Sequence, residues 1–228
     1  MEETLDWVIH GGEVFTGGAL QRCDLGIRQG RVAAIADRIE GGAQRFDAKG
    51  LWVLPGGVDA HVHIDQPPNP GSAARGAEMA DNFESGTRSA AFGGTTTVLS
   101  FAPQFKGQSL QAALDEYHAR ARGNAYVDHG VHMIVSDPTP EVLEQELPRL
   151  QQQGCTSVKI YLTYEALRLS DRQVLDVLDA CRQAGLLTMV HAENLDCILW
   201  LTERLERAGM TQPQYHEASR PMLVEREA

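Results

Sequence analysis

The sequence predicts an α/β protein: a (β/α)8 TIM-type barrel, represented by about its first five βα units, with a small β unit at the N-terminus. Three observations predict it. From Leu51 onward, five strand-like apolar runs alternate with helical stretches and never return to antiparallel patterning, which implies a parallel sheet with helices packed outside. The glycines of "AFGGTTTV" precede their strand instead of following it, so they read as a helix stop and not as the turn of an open dinucleotide-binding sheet. The chemically unusual residues of these strands fall at their C-terminal ends, where a barrel gathers its functional groups.

Residues 1–50 read as the N-terminal β-sandwich portion and residues 51–228 as the partial barrel. In the first part, "LDWVIHGGEVF" gives strand, Gly-Gly turn, strand, and "CDLGIRQGRVAAIA" repeats the pattern around Gly30. No catalytic signature stands there, and His10 beside the turn is assigned a structural role. In the second part the expected strands are Trp52–Asp59, Thr95–Phe101, Gly130–Ser136, Ser157–Leu162 and Leu187–His191. The expected helices are Asn82–Phe92, Leu110–Arg122, Pro140–Gln153, Asp171–Ala184 and Asp196–Ala208. Thr139 before Pro140, and Ser170 before Asp171, are start signals; Gly154, Gly185 and Gly209 stand where helices stop.

At 228 residues and 43% hydrophobic, the chain can bury a sizeable core. A net charge of −11 argues against nucleic acid or an anionic membrane surface as partner. There is no apolar run of membrane-spanning length, and "MEETLDWVIHGG" has neither a basic region nor an apolar signal core, so a cytoplasmic location is expected. Cys23, Cys155, Cys181 and Cys197 form no CxxC or tight cluster and are expected to be free thiols. Any metal site therefore rests on histidine and oxygen.

The stretch "VLPGGVDAHVHID" carries His61 and His63 two residues apart, a spacing that puts both imidazoles on one face of a strand. A half-buried strand with two hydrogen-bonded histidines explains that pair equally well. Lys159 lies within "TSVKIYLTY" and His191 ends "LLTMVHAEN". A lysine among apolar, β-branched neighbours is costly to bury as a cation unless it is paired or neutralised. Each residue alone has a bland reading as an ion-paired lysine or a core histidine. Their joint occurrence at the strand ends of one barrel points to a metal site.

The segments "PGGVDAHVHID", "AAFGGTTTV", "SVKIYLTY" and "MVHAEN", in this order and spacing, resemble the dihydropyrimidinase/hydantoinase branch of the cyclic amidohydrolases. The resemblance runs from the N-terminal β unit to the last residue. It implies two divalent metal ions, zinc by preference, with His61 and His63 on one and His191 on the other. Lys159, carboxylated on its amine, bridges the two, since a carbamate offers two anionic oxygens where an ammonium offers no ligand. The implied substrate is a small ring amide or imide, a dihydropyrimidine or hydantoin, opened by metal-activated water to an N-carbamoyl amino acid. Tyr164 matches the family tyrosine that hydrogen-bonds the tetrahedral oxyanion and so contacts substrate; without the resemblance it reads also as an aromatic cap on the barrel rim. The Pro- and Gly-rich loop "IDQPPNPGSAARGAEMADNF" is expected to contact substrate. A homo-oligomer, a tetramer, is implied for the full-length protein.

Dihydroorotase and allantoinase share parts of this pattern. The former places an arginine two residues after the second histidine to hold a substrate carboxylate, and here that position is Asp65, which would repel one. His118, His129, His132 and His216 match no ligand position and read as surface or core residues. The family's later histidine and aspartate ligands, beyond the fifth strand, find no counterpart in these 228 residues. The sequence therefore reads as the N-terminal half of a longer enzyme, inactive if expressed alone. A non-catalytic scaffold relative is the alternative, disfavoured because every ligand position that can be present is present.

Overall fold

The computed structural model describes residues 4–68, 76 and 78–228. Much of the Pro/Gly-rich loop anticipated to contact substrate falls at 69–75 and 77 and lies outside the described residues. The chain divides into two compact units, Met1–Gly56 and Gly57–Ala228.

Among the described residues the first unit contains seven strands: β1 (Trp7–His10), β2 (Glu13–Phe15), β3 (Leu20–Arg22), β4 (Asp24–Arg28), β5 (Arg31–Ala36), β6 (Gln44–Asp47) and β7 (Trp52–Val53). They form a four-stranded sheet, β5-β4-β1-β6, and a three-stranded sheet, β3-β2-β7. Val14, Cys23 and Leu25 are buried together with Ile9 and Val53 packed on them, so the apolar sides of both sheets share one small core. The turn between β4 and β5 is the expected hairpin, with Gln29 and Gly30 both at positive φ (49° and 70°), the geometry that matches strand twist.

The Gly11-Gly12 junction departs from the reading as a simple strand-turn-strand. It is a corner that passes the chain from one sheet to the other, because β1 pairs with β4 and β6 while β2 pairs with β3 and β7. Gly11 takes φ +75°, and a Cβ on Gly12 would stand 2.9 Å from Val53 Cγ2 and 3.0 Å from Ala48 Cβ. Buried Asp24 ties the corner down by accepting the N–H groups of Gly11 (3.1 Å) and Ile39 (3.0 Å). Burial pushes its carboxyl pKa up, but those donors and nearby His10 and Arg45 outweigh it and hold the value below the ordinary one.

The expected strand Trp52–Asp59 is two strands. Leu54-Pro55-Gly56 interrupts it, and proline has no N–H to continue a ladder. β7 therefore stays with the first unit, and β8 (Gly57–Val62) opens the second. There follow α1 (Phe83–Phe92), β9 (Thr95–Pro103), α2 (Leu110–Ala121), β10 (Asp128–Ile134), α3 (Leu147–Gln152), β11 (Ser157–Tyr161), α4 (Asp171–Ala184), β12 (Leu187–His191), α5 (Leu195–Arg207) and α6 (Met222–Glu227).

All four pairings of the second sheet are parallel, and its order is β8-β9-β10-β11-β12, the order of the sequence. A doubly wound sheet reverses direction at a switch point; an unreversed order is that of a barrel wall. The fold class read from the sequence therefore stands, with five barrel strands present.

The helix start signals are used as expected. The Thr139 hydroxyl accepts from Val142 N–H at 3.3 Å, and Ser170 forms a reciprocal capping box with Gln173. Gly93 and Gly94 end α1, and Gly185 ends α4 in the left-handed conformation. The helix read as Pro140–Gln153 is not uniform: Val142–Glu146 is a π turn that leads into α3. It lies just before Pro148, whose ring nitrogen cannot donate to the carbonyl one turn back. Among the described residues no helix is long and apolar enough to cross a membrane.

The main core lies between sheet and helices, where Phe83, Leu110, Tyr117, Met133, Leu147 and Ile160 are all at most 2% exposed. Phe83 packs edge-on against Tyr117 at 5.3 Å. Phe83→Ala should lower the stability of the protein by about 3–5 kcal/mol in urea unfolding; a loss under about 1 kcal/mol would show that this layer collapses around the gap.

Candidate functional site

Strand register assigns every candidate residue to a face. Phe101 pairs with His132, Ile134 with Lys159, Lys159 with Met189, and Tyr161 with His191. Because side chains alternate, these residues share one face, while Val98, Ala102, Met133, Val158 and Ile160 turn to the helices and join the main core. On β8, Val62 packs against the main core, so His61 and His63 point the other way, toward the same face as Lys159.

The ring of Phe101, fully buried, stands at the centre of this face. His61 lies 4.6 Å from it, His63 stacks on it at 4.8 Å and 19°, and Lys159 Nζ is 5.9 Å from its centroid. Lys159 Nζ is also 5.4 Å from the Tyr161 ring, which stacks on His191 at 5.6 Å; Tyr164 meets His191 edge-on at 5.3 Å. The four expected ligands and Tyr164 are thus linked through two aromatic rings. They are not drawn into a tight nest: among the described residues, no three His, Cys, Asp or Glu side chains stand together at metal-holding distance.

Lys159 is 7% exposed, and among the described residues no carboxylate pairs with it. Burial lowers its amine pKa from the ordinary lysine value. His61 is lowered too, first by desolvation and then by the positive charge of Lys159 and the neighbouring His63 and His132. Both directions favour unprotonated bases, the form a metal ligand needs. A neutral amine is also the form that adds carbon dioxide, so the residues fit a carbamate-bridged metal pair.

Hydrogen bonds orient the histidines. The Gln66 amide nitrogen donates to the Phe101 carbonyl at 2.7 Å, which turns its oxygen to His63 Nδ1 at 2.8 Å. His63 therefore donates from Nδ1 and keeps its lone pair on Nε2. His191 Nε2 meets Glu193 Oε2 at 2.7 Å. His132 is buried and spends both nitrogens on Ser157 Oγ and the Ala60 carbonyl, which makes it a core residue. Asp65 is paired with Arg120 at 3.1 Å on α2.

Tyr164 sits at φ +62°, unusual for a residue with a Cβ, and its carbonyl accepts from Leu167 and Arg168 at 2.8 Å each. Strain of this kind persists only where the surroundings impose it. The tyrosine borders a cavity of about 410 Å³ whose walls include Pro67, Met79, Phe105, Tyr161 and Leu167. Sequence reasoning missed Phe101, Gln66 and Glu193. Gln66, three residues after His63, and Glu193, inside "HAEN", were visible as polar neighbours of candidate ligands, but nothing local tells a hydrogen-bonded neighbour from a solvated one.

A buried amine with no carboxylate partner among the described residues costs stability. Lys159→Met should therefore stabilise chelator-treated protein in bicarbonate-free buffer by about 1–3 kcal/mol in urea unfolding. Destabilisation would show that the amine has a structural partner.

Comparison with known proteins matches residues 52–218 to the amidohydrolase family. The chain is 40% identical over 224 residues to the D-hydantoinase of Geobacillus stearothermophilus, covering 97% of this chain and 46% of that protein. It is 42% identical over 228 residues to the D-hydantoinase of Streptomyces coelicolor, covering 97% and 47%. A solved D-hydantoinase structure superposes with a TM-score of 0.91 at 37% identity, covering 98% of this chain and 48% of that one. The chain spans about half the length of the curated relatives it matches.

Proposed function

Because the chain belongs to the amidohydrolase family, we propose that the protein carrying it hydrolyses the cyclic amide bond of hydantoins and dihydropyrimidines to N-carbamoyl amino acids. The observation that carries this reading is Lys159, buried and, among the described residues, without a carboxylate partner, on the face that also holds His61, His63 and His191. The relatives' D-hydantoinase names support the substrate class. His61 and His63 would hold one divalent metal, zinc by preference, His191 the other, and carboxylated Lys159 would join the two. When bound, such a pair supplies Lewis-acid polarisation of a carbonyl and a water made nucleophilic at neutral pH.

The chain's own residues do the rest. Gln66 holds His63 in one tautomer with its Nε2 lone pair available. The Tyr164 phenol donates to the substrate carbonyl oxygen, and that bond strengthens as the oxygen gains charge in the tetrahedral state. The strained backbone at Tyr164 fixes where the phenol is delivered. The apolar wall of the adjoining cavity receives the ring's substituent and keeps bulk water away. The working form is read as a cytoplasmic homo-oligomer, a tetramer.

The test is made on the full-length protein. Elemental analysis should find close to two divalent metals per chain, and hydantoin or dihydrouracil should yield the N-carbamoyl product by mass spectrometry. Tyr164→Phe should lower kcat about 10²–10³-fold. A metal-free preparation with full ring-opening activity, or unchanged kcat in Tyr164→Phe, contradicts the corresponding part of the proposal.

A further inference from the structure

Two charged residues absent from the metal-ligand set converge behind His191. Glu193 lies two residues beyond it, its side chain only 16% exposed, with Oε2 2.7 Å from His191 Nε2. Its other oxygen, Oε1, is 3.6 Å from Nε of Arg220, whose side chain is 28% exposed. Arg220 also donates from Nη1 to Ser219 Oγ at 3.3 Å. Ser219 is buried and its hydroxyl donates to the His216 carbonyl at 2.7 Å, so the guanidinium meets an anchored hydroxyl as well as Glu193. The connection spans the segment after α5: a residue near Pro221 braces one at the end of β12.

The consequence for His191 follows from hydrogen-bond chemistry. An ionised carboxylate only accepts, so Nε2 must carry the ring proton. The lone pair then resides on Nδ1, which makes no hydrogen bond among the described residues and belongs to a ring flanked by Tyr161 and Tyr164. Arg220 Nε, 3.6 Å from Oε1, limits the rotation of the carboxylate.

We propose that Glu193 and Arg220 form a positioning pair for His191. They hold its tautomer and ring plane without touching metal or substrate. This inference rests on the metal-site reading given above.

The experiment uses full-length protein loaded with cobalt(II). Affinity is measured by competition with a chromophoric chelator, and visible absorption reports the ligand field. Glu193→Ala should weaken the more loosely held cobalt about 10–100-fold and shift its absorption bands, because outer-shell partners of metal-bound histidine carry effects of that size. Arg220→Ala, a milder change, should move both readouts in the same direction and serves where Glu193→Ala fails to fold. Cobalt affinity within about threefold of wild type, with unchanged bands, in the folded variants overturns the inference while leaving the metal site intact. Wild-type protein that takes up no cobalt overturns the metal-site reading itself, and this inference with it.

Discussion

Everything at the candidate site depends on a single energetic cost, the burial of the Lys159 amine. An isolated ammonium in an apolar interior loses several kcal/mol of hydration, and among the described residues no carboxylate offsets it. The protein instead places Nζ near the faces of Phe101 and Tyr161 and near His61, whose own protonation is disfavoured. Cation–π attraction of about 1–2 kcal/mol softens the cost without cancelling it. Such a lysine is a poor structural element. Burial lowers its amine pKa, which is the direction that the proposed carbamate requires.

Parallel pairing delivers the other groups to that amine. One register places Lys159 level with Ile134 and Met189, and Tyr161 level with His191. Shifting β11 by one residue would send Lys159 into the helix-facing core and bring Ile160 to the site. The buried residues on the helix side, Met133, Val158 and Ile160 among them, guard against that slip. Core packing and site geometry are therefore one constraint, set by the same alternation.

Much of this was legible in the residues. The last four strands of the second unit and most of its helices lie close to their expected positions because their caps are chemical: Ser170 with Gln173, Thr139 before Pro140, glycines at positive φ. His61, His63, Lys159 and His191 were legible because histidine and lysine are out of place on apolar strands. The corner at Gly11-Gly12 was not, since a Gly-Gly pair serves a hairpin and a sheet change equally well and only partner strands decide. Nor was the break at Pro55, where apolar residues continue on both sides. The hydrogen bonds of Gln66 and Glu193 depend on side-chain placement in space, which no spacing encodes, and Phe101 reads in sequence as one more apolar strand residue.

The central claim is that Lys159 is built to carry a carbamate. The most direct measurement is carbon NMR of the full-length protein after equilibration with metal and ¹³C-labelled bicarbonate, with Lys159→Ala alongside. The account predicts one labelled carbamate carbon per chain in the wild type and none in the variant. A wild-type protein without that signal, or a variant that retains it, would contradict the account at its foundation.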